Sequence, residues 1–155
     1  MTKSPKEIVI DFISRANQLY DVHAPAIKDA SDKDAKMRDE DKDLSDPQRA
    51  KTHEQKWALI KDYKLKHKEL CEEFGIAITN NNFSEGRYDY PCQYKEHEVI
   101  NVEQKSSKKA RVFTKMPTID YNTNMVFTLA LKQEQWVPTK LHYFDSDGKE
   151  SGMEW

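Results

Sequence analysis

The sequence predicts an α+β fold in which two long helices precede an antiparallel sheet. Apolar residues recur at three- and four-residue steps in two stretches of the first 75 residues, on either side of a charged segment, and this is the period of a one-sided helix. From Tyr88 onward the apolar spacing becomes two, which is the period of half-buried strands. The 155 residues are expected to form one domain, 1–155, with a helical half at 1–75 and a sheet half at 76–155.

The first helix has a clear predicted start. Ser4 is placed to cap it, Pro5 occupies the first turn, and Glu7 stands three residues after Ser4, in the capping-box position. The apolar residues that follow fall along one face of a helix, and they are Ile8, Val9, Phe12, Ile13, Ala16, Leu19 and Tyr20. This face is expected to pack against the sheet.

The second helix is predicted after a strongly charged segment, residues 29–46, which suits either a solvated helix or a mobile connector. Ser45 or Asp46 can cap the second helix, and Pro47 lies early in its first turn. Gly75 is expected to end it directly after Phe74, because glycine readily adopts the left-handed conformation of a helix C-terminus.

The sheet is predicted from runs of alternating apolar residues joined by short links. The links Ser106-Ser107 and Gln133-Glu134 suit antiparallel hairpins rather than crossover connections. We therefore expect a curved antiparallel sheet of about four to six strands, with its concave face covered by the two helices. The runs cover residues 96–105, 109–116, 124–132 and 135–144.

The segment from Tyr88 to Trp136 resembles a known family of proteins. Its order of strand and turn residues is similar to that of immunity proteins with a nuclear-transport-factor-two fold, which occur in bacterial polymorphic toxin systems. The positions that carry the resemblance are Tyr88, Pro91, Tyr94, Glu96, Glu98, Ile100, Val102, the run 110–114, Tyr121, the run 127–129 and Trp136. The family-motif residues taken as structural are Tyr88, Pro91, Tyr94, Glu98, Ile100, Val112, Thr114 and Trp136.

The resemblance implies a cone-shaped fold of the nuclear-transport-factor-two-like (cystatin-like) kind. It also implies an immunity protein that binds a cognate toxin in the bacterial cytoplasm and neutralises it by stoichiometric occlusion. Such a protein has no catalytic step and needs no cofactor. The resemblance does not identify the toxin, and it leaves both a monomer and a homodimer open.

Composition and charge exclude several other partners. A net charge of -2 and a pI near 6.2 argue against nucleic acid, because phosphate binding requires a basic surface. The apolar run at residues 8–10 is too short for a signal core or a membrane span and is followed by Asp11, so a cytoplasmic location is expected. Cys71 and Cys92 are therefore predicted to be reduced thiols.

Two features are candidates for contact with a protein partner. The densest acidic run in the chain could steer a basic toxin surface, or it could be a solvated charged segment near a helix N-terminus. Trp155, after a predicted turn, could either pack back on the sheet or anchor an interface. The acidic residues proposed for binding are Asp39, Glu40, Asp41, Asp43 and Asp46.

Other classes of function start from the same fold. An acid–base isomerase, cyclase or dehydratase would need a carboxylate or histidine in an apolar pocket, and the candidate residues are Asp11, Tyr20, Tyr63, His142 and Tyr143. A non-catalytic dimeric adaptor would use the open sheet face.

A metal site could start from His67 and Cys71 with the carboxylates at 96 and 98. A closed zinc site needs four ligands and no second Cys/His pair exists, so no metal site is expected.

Overall fold

The computed structural model describes residues 2–79, 94, 97–116, 124–145 and 147–155. Within these residues two helices precede five strands, which confirms the predicted α+β class. The helices are α1 (Pro5–Asp39) and α2 (Pro47–Glu73), and the strands are β1 (Glu98–Ser106), β2 (Lys109–Lys115), β3 (Asn124–Lys132), β4 (Gln135–Phe144) and β5 (Glu150–Gly152). The charged segment 29–46 thus continues α1 to Asp39 and then connects the helices.

The strands form one antiparallel sheet in the order β1-β2-β3-β4-β5, as the short links predicted. Val112, Phe127 and Leu141 pair in register across the three central strands, and all three side chains are buried. We call the face that carries them the inner face. The opposite, outer face carries Phe113 and Phe144, whose rings meet edge to face at 5.6 Å.

The predicted capping box forms at the start of α1. The Glu7 N–H donates to Ser4 Oγ at 3.2 Å, and the Ser4 N–H donates to Glu7 Oε2 at 2.8 Å. These two bonds satisfy backbone donors that have no partner within the helix.

The predicted stop at Gly75 also forms. The Ile76 N–H bonds the Cys71 carbonyl at 3.0 Å and the Gly75 N–H bonds the Glu72 carbonyl at 2.9 Å, which is the Schellman pattern. Gly75 has φ +78°, and a Cβ there would lie 3.1 Å from Cγ1 of Val137. The backbone conformation therefore favours glycine, and a side chain at this position would also crowd Val137 of β4.

The described residues pack as two compact units. One contains Met1–Asn17 with Lys68–Trp155, and the other contains Gln18–His67. The first unit holds the sheet, the start of α1 and the end of α2, and the second unit is a pair of helical segments with their connection. The predicted boundary at residue 75 separates helix from strand, whereas the packing units divide both helices.

Aromatic side chains form the centre of the first unit. Phe12 on α1 is fully buried and meets four other rings edge to face. The partner rings, with their centroid distances from Phe12, are Tyr94 at 5.1 Å, Phe74 at 5.3 Å, Trp155 at 6.1 Å and Phe127 at 6.2 Å. The start of α1 is thus attached to the inner face of the sheet, as predicted for the apolar face of this helix.

The turn between β3 and β4 gives the first testable prediction. Gln133 and Glu134 have φ angles of 49° and 63°, the arrangement of a type I′ turn that favours Asn-Gly. Side chains with a Cβ are strained in this left-handed region. The Gln133→Asn, Glu134→Gly double variant should therefore raise the free energy of unfolding by about 1 kcal/mol in urea titrations.

The single Glu134→Ala variant is the control for that prediction. It removes the charge of Glu134 but keeps a Cβ at the same φ, so it should give little or no gain. An equal gain in both variants would assign the effect to charge rather than to backbone conformation.

Candidate functional site

The acidic connection between the helices, residues 39–46, begins at an ordered helix end. The Lys42 N–H bonds the Met37 carbonyl and the Asp41 N–H bonds the Arg38 carbonyl, both at 3.1 Å. Asp41 occupies the left-handed position of this motif with φ 59°, where glycine or asparagine is usual. Hydrogen bonds therefore fix the backbone at Asp41 and Lys42, at the start of the connection.

Two of the five predicted acidic residues have structural roles within this connection. Asp43 Oδ1 accepts hydrogen bonds from the Ser45 N–H and hydroxyl, and this bonding lowers the pKa of the Asp43 carboxyl. Asp46 is the cap of α2, since its Oδ1 accepts from the N–H of Gln48 at 2.9 Å and of Arg49 at 3.3 Å. Sequence analysis left Ser45 and Asp46 as alternative caps, and the structure selects Asp46.

The other three acidic residues, Asp39, Glu40 and Asp41, are exposed. Lys42 lies beside them, with its Nζ 3.9 Å from Glu40 Oε2 and 2.8 Å from Gln48 Oε1. Because Lys42 is the single basic residue among five acids in residues 39–46, the surface of the connection is negative. Asp39, Glu40 and Asp41 thus present their charge to solvent, whereas Asp43, which is also exposed, and Asp46 accept backbone hydrogen bonds.

A buried charged cluster lies within the same helical unit, and sequence analysis did not identify it. Asp34 on α1 is 6% exposed, with Oδ1 3.7 Å from Arg49 Nε and Oδ2 3.5 Å from His53 Nδ1. His53 Nε2 accepts the indole N–H of Trp57 at 2.8 Å. Arg49 also donates through Nη1 to the Lys42 carbonyl at 2.7 Å, so the cluster is attached to the acidic connection.

Trp155 does not occupy the exposed position that an interface anchor needs. Its side chain is 6% exposed, and its ring lies 6.1 Å from those of Phe12 and Phe127. The interpretation of Trp155 as a partner-binding residue is therefore replaced by the other sequence-based alternative, in which it packs back on the sheet. Its apolar ring contributes to the core instead.

The family-motif positions occupy different environments. Tyr94, Val112 and Thr114 are buried, which agrees with a structural role. Trp136 is half-buried, whereas Glu98 and Ile100 on β1 are exposed. Tyr88 and Pro91 lie outside the described residues.

A shallow apolar groove lies beside the first strand and has a volume of about 310 Å³. Its lining is Ile10, Ile13 and Ser14 of α1 with His97, Glu98 and Val99. His97 is 8% exposed, its Nδ1 lies 3.0 Å from Thr114 Oγ1, and burial lowers its pKa to about 4. The imidazole is therefore neutral at pH 7, and sequence analysis had not assigned His97 a role.

The residues named for an acid–base enzyme do not form one arrangement within either packing unit. Tyr20 and Tyr63 meet at 6.1 Å in the helical unit, and Asp11, in the other unit, pairs with Lys3 at 2.9 Å. His142 and Tyr143 are consecutive on β4 and so point to opposite faces of the sheet.

The described part of the chain contains neither a metal-binding cluster nor a membrane-spanning helix. No group of three or more His, Cys, Asp or Glu side chains there is arranged to hold a metal ion. Burial raises the pKa of the Cys71 thiol to about 12, so the thiol is protonated rather than a metal-binding thiolate. Neither described helix combines the length and apolar character needed to span a bilayer.

Comparison with known proteins gave no match to any protein-family model, curated protein or solved structure. A function can therefore be inferred only from the residues of this chain and from the family resemblance of residues 88–136.

Proposed function

We propose that the chain is an immunity protein of the nuclear-transport-factor-two-like fold, acting in the cytoplasm by stoichiometric binding that occludes a cognate toxin. The observation that carries this proposal is the aromatic packing of Phe12 against the inner face of the sheet. An enzyme of this fold class needs space on that face for a substrate and an ionisable group. Here the space around Phe12 is occupied by four rings, which favours binding of a partner by exposed residues over catalysis on the inner face.

The groove beside β1 is poorly suited to acid–base catalysis. A general base works best with a pKa near the operating pH, and His97 has a pKa of about 4. Its Nδ1 is also engaged by Thr114, and much of the groove is lined by isoleucine and valine. These features favour His97 as a core residue of the fold rather than a proton-transfer group.

The element order also supports the proposed fold. Two helices are followed by an antiparallel meander, and the start of the first helix packs on the inner face of the sheet. Tyr94, Val112 and Thr114, three of the motif positions, are core residues. This is the arrangement expected if the motif specifies the fold rather than a catalytic site.

The direct test is neutralisation. We expect a toxin domain to be encoded immediately upstream of this gene, and co-expression of the chain should restore growth to cells that produce the toxin domain. The purified chain should bind that domain one to one and inhibit it at equimolar concentration. Failure of the folded chain to bind or protect, or turnover of a small metabolite by the chain alone, would contradict the proposal.

The acidic connection gives a kinetic prediction for this complex. Replacing Asp39 and Glu40 by Lys and Asp41 by Asn should lower the association rate constant about tenfold or more at low salt, because exposed charge steers encounter. Asn tolerates the left-handed backbone of Asp41, so the connection should keep its shape. Stopped-flow measurements over a range of salt concentrations should also show a flatter salt dependence.

A matched control changes the same net charge elsewhere on the helical unit. Asp21→Lys, Asp32→Lys and Glu54→Gln alter exposed residues outside the connection and should slow association much less. Equal slowing by the two triple variants would show that overall charge, rather than the acidic connection, controls encounter.

A further inference from the structure

The first strand lies at one edge of the sheet and is nine residues long. Among the strands that the structure describes, only β2 pairs with it. An edge of this length is a template on which a second chain can add a strand through backbone hydrogen bonds.

The same strand exposes apolar side chains. Ile100 is 54% exposed and Val102 is 37% exposed, although Val102 pairs with the buried Val112 of β2. Exposed β-branched residues on an unpaired edge favour association between copies of a protein. The strand therefore needs a feature that opposes pairing if the chain is to stay monomeric.

Two side-chain amides on β1 occupy backbone groups of the strand. The Val102 N–H donates to Oδ1 of Asn101 at 2.9 Å, and Gln104 Nε2 donates to the Ser106 carbonyl at 2.5 Å. An incoming strand needs free N–H and C=O groups along an edge. Hydrogen bonds to neighbouring side chains compete with such pairing.

The pairing register of β1 is also irregular. It shifts between Val99 and Asn101 and again between Gln104 and Ser106, so Ile100 and Lys105 have no direct partner in β2. Bulges of this kind bend an edge and shorten the straight segment available for pairing. Charged side chains on an edge strand also oppose pairing, and β1 carries Glu103 and Lys105, which form an ion pair at 2.9 Å.

The opposite side of the sheet shows comparable features. β5 pairs only with residues 142–144 of β4, so the earlier part of β4 has an open side among the described strands. This part contains Pro138, which has no N–H to donate, and a register shift between Thr128 and Leu129 of its partner β3. Proline and bulges are the devices by which natural sheets limit edge pairing.

We propose that the Asn101 and Gln104 amides, together with the bulges at Ile100 and Lys105, close the β1 edge to strand addition by a second copy of this chain. The amides occupy one backbone N–H and one backbone C=O of the strand, and the bulges interrupt its straight register. Without backbone pairing along this edge, the exposed Ile100 and Val102 side chains do not hold two copies together.

The test removes the two amides while keeping strand propensity. The Asn101→Val, Gln104→Val double variant should lower the dissociation constant of self-association about tenfold or more relative to the unchanged chain, measured by analytical ultracentrifugation. Circular dichroism should first show that the variant is folded. If it is not, the single Asn101→Thr variant is measured in its place, with the same expectation in direction.

Two further variants identify the cause of any association. Adding Val102→Pro to the double variant removes the N–H that an incoming strand would bond and should abolish the gain. Gln18→Val with Gln55→Val adds the same apolar groups at exposed helix positions and should not associate. The proposal is overturned if the folded double variant is no more associated than the unchanged chain, if Val102→Pro has no effect, or if the helix control associates equally.

Discussion

Phe12→Ala should lower the free energy of unfolding by about 3–5 kcal/mol, the largest effect expected from a single side chain here. Phe12 is fully buried, and its ring lies 5.1–6.2 Å from four other rings that come from separate parts of the chain. The substitution removes apolar burial and leaves a cavity, and it also removes several edge-to-face contacts. Urea unfolding followed by circular dichroism measures the change.

Two variants distinguish the contributions to that loss. Phe12→Leu keeps most of the apolar volume and should lower the free energy of unfolding by about 1–2 kcal/mol. This loss is the part of the Phe12→Ala effect that depends on the shape of the ring. Val22→Ala, also on α1 but 74% exposed, should change stability by less than about 0.5 kcal/mol. A small loss for Phe12→Ala would show that the aromatic cluster does not hold α1 on the sheet, and it would remove the observation on which the proposed function rests.

The helix ends could be predicted from sequence because their determinants are local. Ser4 with Glu7, and Gly75, act through backbone groups only three to five residues away, and the hydrogen bonds form as predicted. The strands could be predicted because alternation of apolar residues follows directly from the pleat of a sheet. The antiparallel order followed from short links such as 133–134.

The candidate site was harder to predict because it depends on residues distant in sequence. Trp155 is buried against Phe12 and Phe127, and nothing near it in the sequence indicates that packing. Asp34 looked like one acid in a solvated segment, yet Arg49 and His53 of the next helix surround it. Helical periodicity around residue 34 could have identified it, since it continues the buried stripe of α1 seven residues beyond Ile27.

The acidic connection shows how local and functional signals overlap. Its five carboxylates are one run in the sequence, but Asp43 and Asp46 accept hydrogen bonds from the backbone of the connection and of α2. The local role is thus established for Asp43 and Asp46, and the proposed contact with a partner is left to the exposed Asp39, Glu40 and Asp41. Asp39, Glu40 and Asp41 are the ones to change in binding experiments, because changing Asp43 or Asp46 would also disturb the fold.

His97 should make the stability of the protein depend on pH below neutrality. Burial lowers the pKa of His97 to about 4 in the folded chain, whereas an unfolded histidine has a pKa of about 6.5. The unfolded chain therefore binds more protons between these values, so stability falls as pH decreases from about 6.5 toward 4. His97 alone should account for about 2 kcal/mol between pH 7 and pH 4.5.

His97→Asn isolates this contribution because the asparagine amide does not titrate and its oxygen can replace Nδ1 as a partner of Thr114 Oγ1. The variant should lose less free energy of unfolding than the unchanged chain when urea titrations at pH 7 and pH 4.5 are compared. The carboxylates contribute equally to both proteins, so the difference between them reports His97. If both proteins lose the same free energy, His97 is accessible to protons in the folded chain, and its burial beside Thr114 does not hold it neutral.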